Sequence, residues 1–269
     1  MAVQVINSQN YSMDFTLKKY RRLLRALKDK GFIFLTFEQY CCQKAELEGA
    51  KFVILRHDVD LKAENSLAAA RIESELGVKA SYYFRVVPQS NRPEIIRIIA
   101  ALGHEIGYHY EDMTICGGDM EKAIGHFRQQ LDYFRQFYPI KTVCMHGAPR
   151  SRFDGKDLWK KYDYRDYGII GEPYFEVDFN QVFYLTDTGR CWDGSKFSVR
   201  DKVQSSFNQS YHSTNKIITA TQDGLLPSQI MITTHPQRWT DNKVLWFNEL
   251  LQQNVKNIAK RVLIFFRTR

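Results

Sequence analysis

No stretch of this chain approaches the ~18 consecutive apolar residues that cross a bilayer; Val262 to Phe266 is only strand-sized. No membrane span is therefore expected. There is no CxxC pair either: Cys41, Cys42, Cys116, Cys144 and Cys191 are an odd number of thiols. The opening residues Met1 to Asn7 lack a basic region followed by an apolar stretch. Together these predict reduced thiols in a cytoplasmic protein. The phosphate-cradling loops GxGxxG and GxxxxGK[ST] are missing, which speaks against nucleotide binding. Helix-turn-helix, zinc-finger and ribonucleoprotein signatures are missing too, so no nucleic-acid partner is expected. No repeat, low-complexity tract or Pro/Gly/Ser linker interrupts the chain, which is read as one domain over residues 1–269.

What is present suits a large core. Of 269 residues 44% are hydrophobic, with 18 Phe, 15 Tyr and 4 Trp. Most of these aromatics should pack, and a few could line a carbohydrate cleft. The formal charge of +8 permits anionic partners. Phe15 to Asp29 has apolar residues at helical spacing and a basic opposite face. It is read as an outer helix solvated by Lys and Arg, with a membrane-surface helix as the alternative.

From residue 52 the pattern alternates. Phe52 to Leu55, Ala80 to Val86, Glu105 to Tyr110 and Thr142 to Met145 read as strands. Between them, helices are predicted over Ala63 to Leu76, from Pro93 to Leu102, and over Asp119 to Phe137. Further strands are expected at Gly168 to Ile170, Val182 to Thr186, Gln229 to Thr234 and Arg261 to Phe266, with a helix over Thr240 to Lys260. Strands alternating with helices make a parallel sheet with helical crossovers. The fold class is α/β: an irregular (β/α) barrel of seven or eight mostly parallel strands.

Four strings of polar residues fall at predicted strand ends: His57-Asp58-Val59-Asp60, His109-Tyr110-Glu111, His146-Gly147-Ala148-Pro149 and His235-Pro236-Gln237-Arg238-Trp239. In a parallel barrel all strand C-termini share one face, where active sites form. Alternation along a strand aims Asp58 and Asp60 the same way, and likewise His109 and Glu111. Carboxylates and imidazoles gathered at one place are costly without a metal ion, a proton or a cationic partner.

At these residues the chain resembles the polysaccharide deacetylases, carbohydrate esterases with the NodB homology domain, over about residues 50–236. His57-Asp58-Val59-Asp60 is similar to the family's first motif, and Gly103-His104-Glu105-Ile106-Gly107-Tyr108-His109 to the second. His146 to Pro149 stands where an Arg-x-Pro motif lines the groove, and Ile230 to Pro236 is similar to the last motif. The resemblance implies Asp58 as general base, Asp60 and His109 as ligands of a divalent metal such as Zn, and His235 as general acid. His104 starts its strand and alternates away from His109, so it is read as structural. The family's second histidine, four residues after the first, is here Met113, a thioether unsuited to a hard or borderline ion. Glu111 is the first choice for the third ligand, with His57 and His146 as alternatives. The implied reaction is removal of an acetyl group from an N-acylated sugar in glycan or surface-polysaccharide metabolism.

Two polar, aromatic strings, Tyr164 to Tyr174 and Tyr184 to Trp192, could line a glycan groove or form an ordinary rim. Asp187 and Arg190 are singled out as a pair able to orient a catalytic group. Pro149, Trp192 and Trp239 could border the sugar or pack. The competing reading is a non-catalytic barrel that binds a glycan or a partner after losing a metal ligand. A phosphoesterase is a third.

Overall fold

The computed structural model describes residues 13–192 and 203–267, with side chains as far as residue 258. In chain order the elements are α1 (Leu17–Asp29), β1 (Ile33–Leu35), α2 (Phe37–Gln43), β2 (Phe52–Val59), α3 (Ala63–Glu75), β3 (Ser81–Phe84), α4 (Pro93–Ala101) and β4 (Glu105–Tyr110). They continue with α5 (Asp112–Ile115), α6 (Met120–Arg135), β5 (Val143–Met145), α7 (Pro173–Glu176), β6 (Phe183–Thr186), α8 (Thr214–Gln222), β7 (Gln229–Thr234) and α9 (Lys243–Arg267).

Among the described residues all seven strands join one parallel sheet, in the order β5-β4-β3-β2-β7-β6. β1 pairs with the first half of β2, and β3 with its second half. This is the irregular (β/α) barrel that the alternation predicts. No ladder among the described residues joins β5 to β6, so the sheet curls without closing. Among the described residues only a bridge between Thr142 and Gly171 extends it past β5. The strand expected at Gly168 to Ile170 is absent; a short 3-10 turn ends there with Gly168 at φ +71°.

The last predicted strand is also corrected. Arg261 to Phe266 continues α9. No Gly or Pro stands between residue 240 and the end of that helix to break it, and a short apolar run has no period of its own to separate strand from helix.

Strand alternation sorts side chains into two layers. Val53, Leu55, Tyr82, Phe84, Ile106, Tyr108, Ile230 and Ile232 belong to the core between sheet and helices. Phe52, Ile54, Tyr83, Cys144 and Met231 form the inner core with Phe37 and Tyr40 of α2. Gly107 permits this inner packing. A Cβ there would stand 2.3 Å from the Tyr83 ring, so no side chain fits between β3 and β4. The inner parity then continues to the strand ends, through Arg56 and Asp58 on β2, His109 on β4, Cys144 on β5 and His146 after it, and His235 after β7.

Candidate metal centre and active site

The strand ends carrying Asp58, Asp60, His109, His146 and His235 meet on one face, around a cavity of about 200 Å³. Arg85, Pro149, Gln237 and Arg238 also line it. A larger cavity of about 630 Å³ lies elsewhere, beside Trp159, Tyr174 and Phe175, and touches none of these residues.

Asp60 sits at the centre. Its Oδ1 is buried and has no hydrogen-bond partner. Nε2 of His146 is 3.5 Å from that oxygen and Nε2 of His109 is 3.6 Å from it. Its other oxygen accepts a long hydrogen bond from Gln237 Nε2 (3.4 Å) and lies 3.9 Å from His235 Nε2.

Each of the three imidazoles has an acceptor at Nδ1. For His109 this is the Cys144 carbonyl at 2.9 Å, for His146 the Glu111 carboxylate at 2.8 Å, and for His235 the Asp187 carboxylate at 2.6 Å. An acceptor at Nδ1 assigns a proton there and turns Nε2 toward the cavity, as a lone pair in the neutral ring and as a second N–H in the protonated one. Burial pushes the His109 imidazole down to about 4, Asp58 only partly opposing it, so it is neutral at physiological pH. Burial raises the Asp60 carboxyl, but His146, His235 and His109 outweigh this and hold it at about 2.

Glu111 does not face Asp60. It accepts from His146 through one oxygen and from Arg85 Nε and Nη2 through the other, at 2.9 and 2.6 Å. It orients His146, and the Arg85 pair satisfies it independently. The structure therefore brings His146, rather than the first-choice Glu111, beside Asp60 and His109. Met113 is buried within α5, packed in the outer core.

Asp58 is held differently. Arg56, two residues earlier on the same face of β2, donates to both of its oxygens, Nε at 2.8 Å and Nη2 at 2.6 Å. Burial raises the Asp58 carboxyl, but the Arg56 guanidinium outweighs it and holds the group far below the usual carboxylate range. Asp58, His109 and Cys144 also have ligand atoms within 4.8 Å of one another. Both Asp58 oxygens are committed to Arg56, whereas Asp60 Oδ1 is open toward His109 and His146, which makes Asp60, His109 and His146 a second candidate set.

Behind His235, Asp187 collects donors. Besides His235 Nδ1 it accepts from the His235 backbone N–H, from Arg238 Nη1 at 2.5 Å and from Trp239 Nε1 at 2.8 Å. The arginine paired with Asp187 is thus Arg238, not Arg190. At Arg190 the backbone turns left-handed (φ +60°), and the guanidinium lies over the Phe15 and Trp246 rings. Trp239 and Trp192 are buried, edge-on to one another, and open no face to a sugar.

His57 points to the opposite side of β2 from Asp58. Its Nδ1 meets Thr234 Oγ1 at 2.6 Å and its Nε2 meets Glu73 at 2.7 Å. Glu73 also accepts from Tyr20 and Tyr82, and His104 Nδ1 stands 3.5 Å away. His57 and His104 thus share a buried network between β2 and α3, away from the cavity. Sequence reasoning left Arg56, Arg85, Gln237 and Arg238 unassigned. Arg56 had a signal, its parity with Asp58, and Gln237 and Arg238 stood in the string after His235; Arg85 had none.

No protein-family model and no curated protein matches the chain. Among the solved structures similar to it are the following three. Deacetylase PplD of Streptococcus pyogenes, in complex with acetate, is 15% identical, covering 55% of this chain and 70% of its own, with a TM-score of 0.45. BA3943 of Bacillus anthracis, a CE4 family pseudoenzyme, is 11% identical over 77% and 62%, with a TM-score of 0.42. PdaA of Bacillus subtilis, a family 4 carbohydrate esterase, is 10% identical over 87% and 84%, with a TM-score of 0.39. By motif the chain resembles the polysaccharide deacetylases, and its structural likenesses bear deacetylase and carbohydrate esterase names; at such identities and TM-scores they say nothing of its activity.

Proposed function

We propose that this chain is a metal-dependent hydrolase that removes an acetyl group from an N-acetylated sugar. One observation carries the reading: Asp60 Oδ1 is buried without a hydrogen bond while two imidazole Nε2 atoms, each held at Nδ1, stand at 3.5 and 3.6 Å. A buried carboxylate oxygen left unpaired is costly. Two nitrogens and one oxygen suit zinc, and a catalytic site keeps a further position open. Asp60, His109 and His146 would hold the ion, with Glu111 and the Cys144 carbonyl orienting the imidazoles.

A zinc ion held by these residues would polarise the amide carbonyl and lower the pKa of a bound water to about 7. The remaining work falls to the chain. Asp58, kept ionised by Arg56, accepts a proton from the attacking water. The water oxygen bonds to the acetyl carbon and the C–N bond breaks. His235, whose Nδ1 is committed to Asp187, presents Nε2 to the cavity and protonates the departing amine. The products are acetate and the free amino sugar.

The alternative of a barrel that lost its metal rested on Met113, and His146 weakens that ground by supplying an imidazole nitrogen. Among the described residues no helix is long and apolar enough to cross a membrane. The decisive experiment measures metal content and acetate release from N-acetylglucosamine oligosaccharides on the same preparation. Stoichiometric zinc with chelator-sensitive acetate release supports the proposal; a metal-free protein that binds the oligosaccharide unchanged overturns it.

A further inference from the structure

α9 carries two stripes. Glu249, Gln253 and Asn257, four residues apart, are buried. Glu249 and Gln253 line the cavity, and Asn257 donates to the Gly189 carbonyl at 2.8 Å. Opposite them Val244, Phe247, Leu251, Val255 and Ile258 recur at spacings of three and four and are 49–69% exposed. A surface helix ordinarily turns its apolar stripe to the core; here the polar stripe covers the barrel mouth and the apolar stripe faces outward. A contiguous apolar line of this kind marks an interaction surface.

We propose that this stripe docks α9 onto an anionic lipid–water interface. Charge selects the occupant. The one acidic residue of α9 is Glu249, and it is turned into the cavity. Lys243 is exposed, Lys256 is exposed at the cavity rim beside Gln253, and the sequence holds no acidic residue after Glu249. α1 starts beside it, with Thr240 N donating to the Phe15 carbonyl at 3.3 Å, and exposes Lys18, Arg22 and Arg25. Apolar side chains accompanied by lysines match acyl chains beneath anionic headgroups, whereas a second copy would bring like charges together. Area agrees. One helical line falls short of the roughly 20–30 residues per side of a stable protein interface, but suffices for a helix sinking about 5–10 Å into the headgroup boundary.

The test is co-sedimentation of the full chain with phosphatidylcholine vesicles and with vesicles that also contain phosphatidylglycerol. Binding should favour the anionic vesicles and weaken as salt is added. Leu251→Asp with Val255→Asp should lower the partition coefficient about tenfold or more at an unchanged melting temperature. If that variant does not fold, Phe247→Ser with Leu251→Ser replaces it. Three results overturn the proposal: no binding to anionic vesicles, equal binding by a folded variant, or a wild-type dimer in light scattering that the substitutions dissociate, which would make the stripe a self-interface.

Discussion

Nε2 of His146 stands 3.5 Å from Oδ1 of Asp60, and no hydrogen bond reaches that oxygen. The two residues are 86 positions apart, and their meeting makes a candidate cation site in a chain whose motif carries Met113 where the resembled family has histidine. Asp60→Asn and His146→Gln should each abolish stoichiometric zinc. Glu111→Gln should weaken zinc affinity only about 10–100-fold, as expected for a group that orients a ligand. His104→Gln should leave metal content unchanged and lower the melting temperature. Elemental analysis of the purified variants checks all four; a zinc-replete His146→Gln protein would remove His146 from the set.

Arg56 is the largest influence holding Asp58 ionised against its burial. In Arg56→Met that hold is lost and burial pushes the Asp58 carboxyl upward. The acid limb of the kcat/KM profile should then move to higher pH while zinc stays bound. An uncompensated buried carboxylate should also cost about 3–5 kcal/mol of stability. A pH–rate profile with an unmoved acid limb would remove Arg56 from the mechanism.

His235→Ala should reduce turnover by about 10²–10⁴ with metal binding and substrate affinity retained. Asp187→Asn takes away the carboxylate at Nδ1, and the imidazole can then adopt the other tautomer. It should lower kcat by about 10²-fold or more with little change in KM. If His235 were only a cap on β7, both variants would lose melting temperature and keep their turnover per folded molecule.

The Glu73 network should appear in acid stability rather than in activity. Burial raises the Glu73 carboxyl, but His57 foremost, with His104 and Tyr20, outweighs burial and holds it below its ordinary value. A depressed carboxylate contributes stability that is present above the unfolded value of ~4.3 and is lost as pH falls through the folded value. Glu73→Gln should therefore cost about 3 kcal/mol at neutral pH, with the gap to wild type narrowing below about pH 4. Melting curves across pH check this; a constant gap would mean that Glu73 is not the titrating group.

The local parts of this protein were legible in the chain itself. Alternation within β2 and β4 aims Asp58 with Asp60 and separates His104 from His109, because side-chain direction along a strand has period two wherever the strand sits. The same rule reads the barrel class, since strands and helices announce themselves by period. Three matters were decided only by tertiary structure. The candidate third ligand is His146 rather than Glu111, because the distance between residues on different strands depends on the curl of the sheet, and Glu111 met Arg85 first. Asp187 paired with Arg238 because a left-handed residue carried Arg190 away. The residues Arg261 to Phe266 joined a helix because a five-residue apolar run has no period to declare, and it took the conformation of the unbroken helix before it.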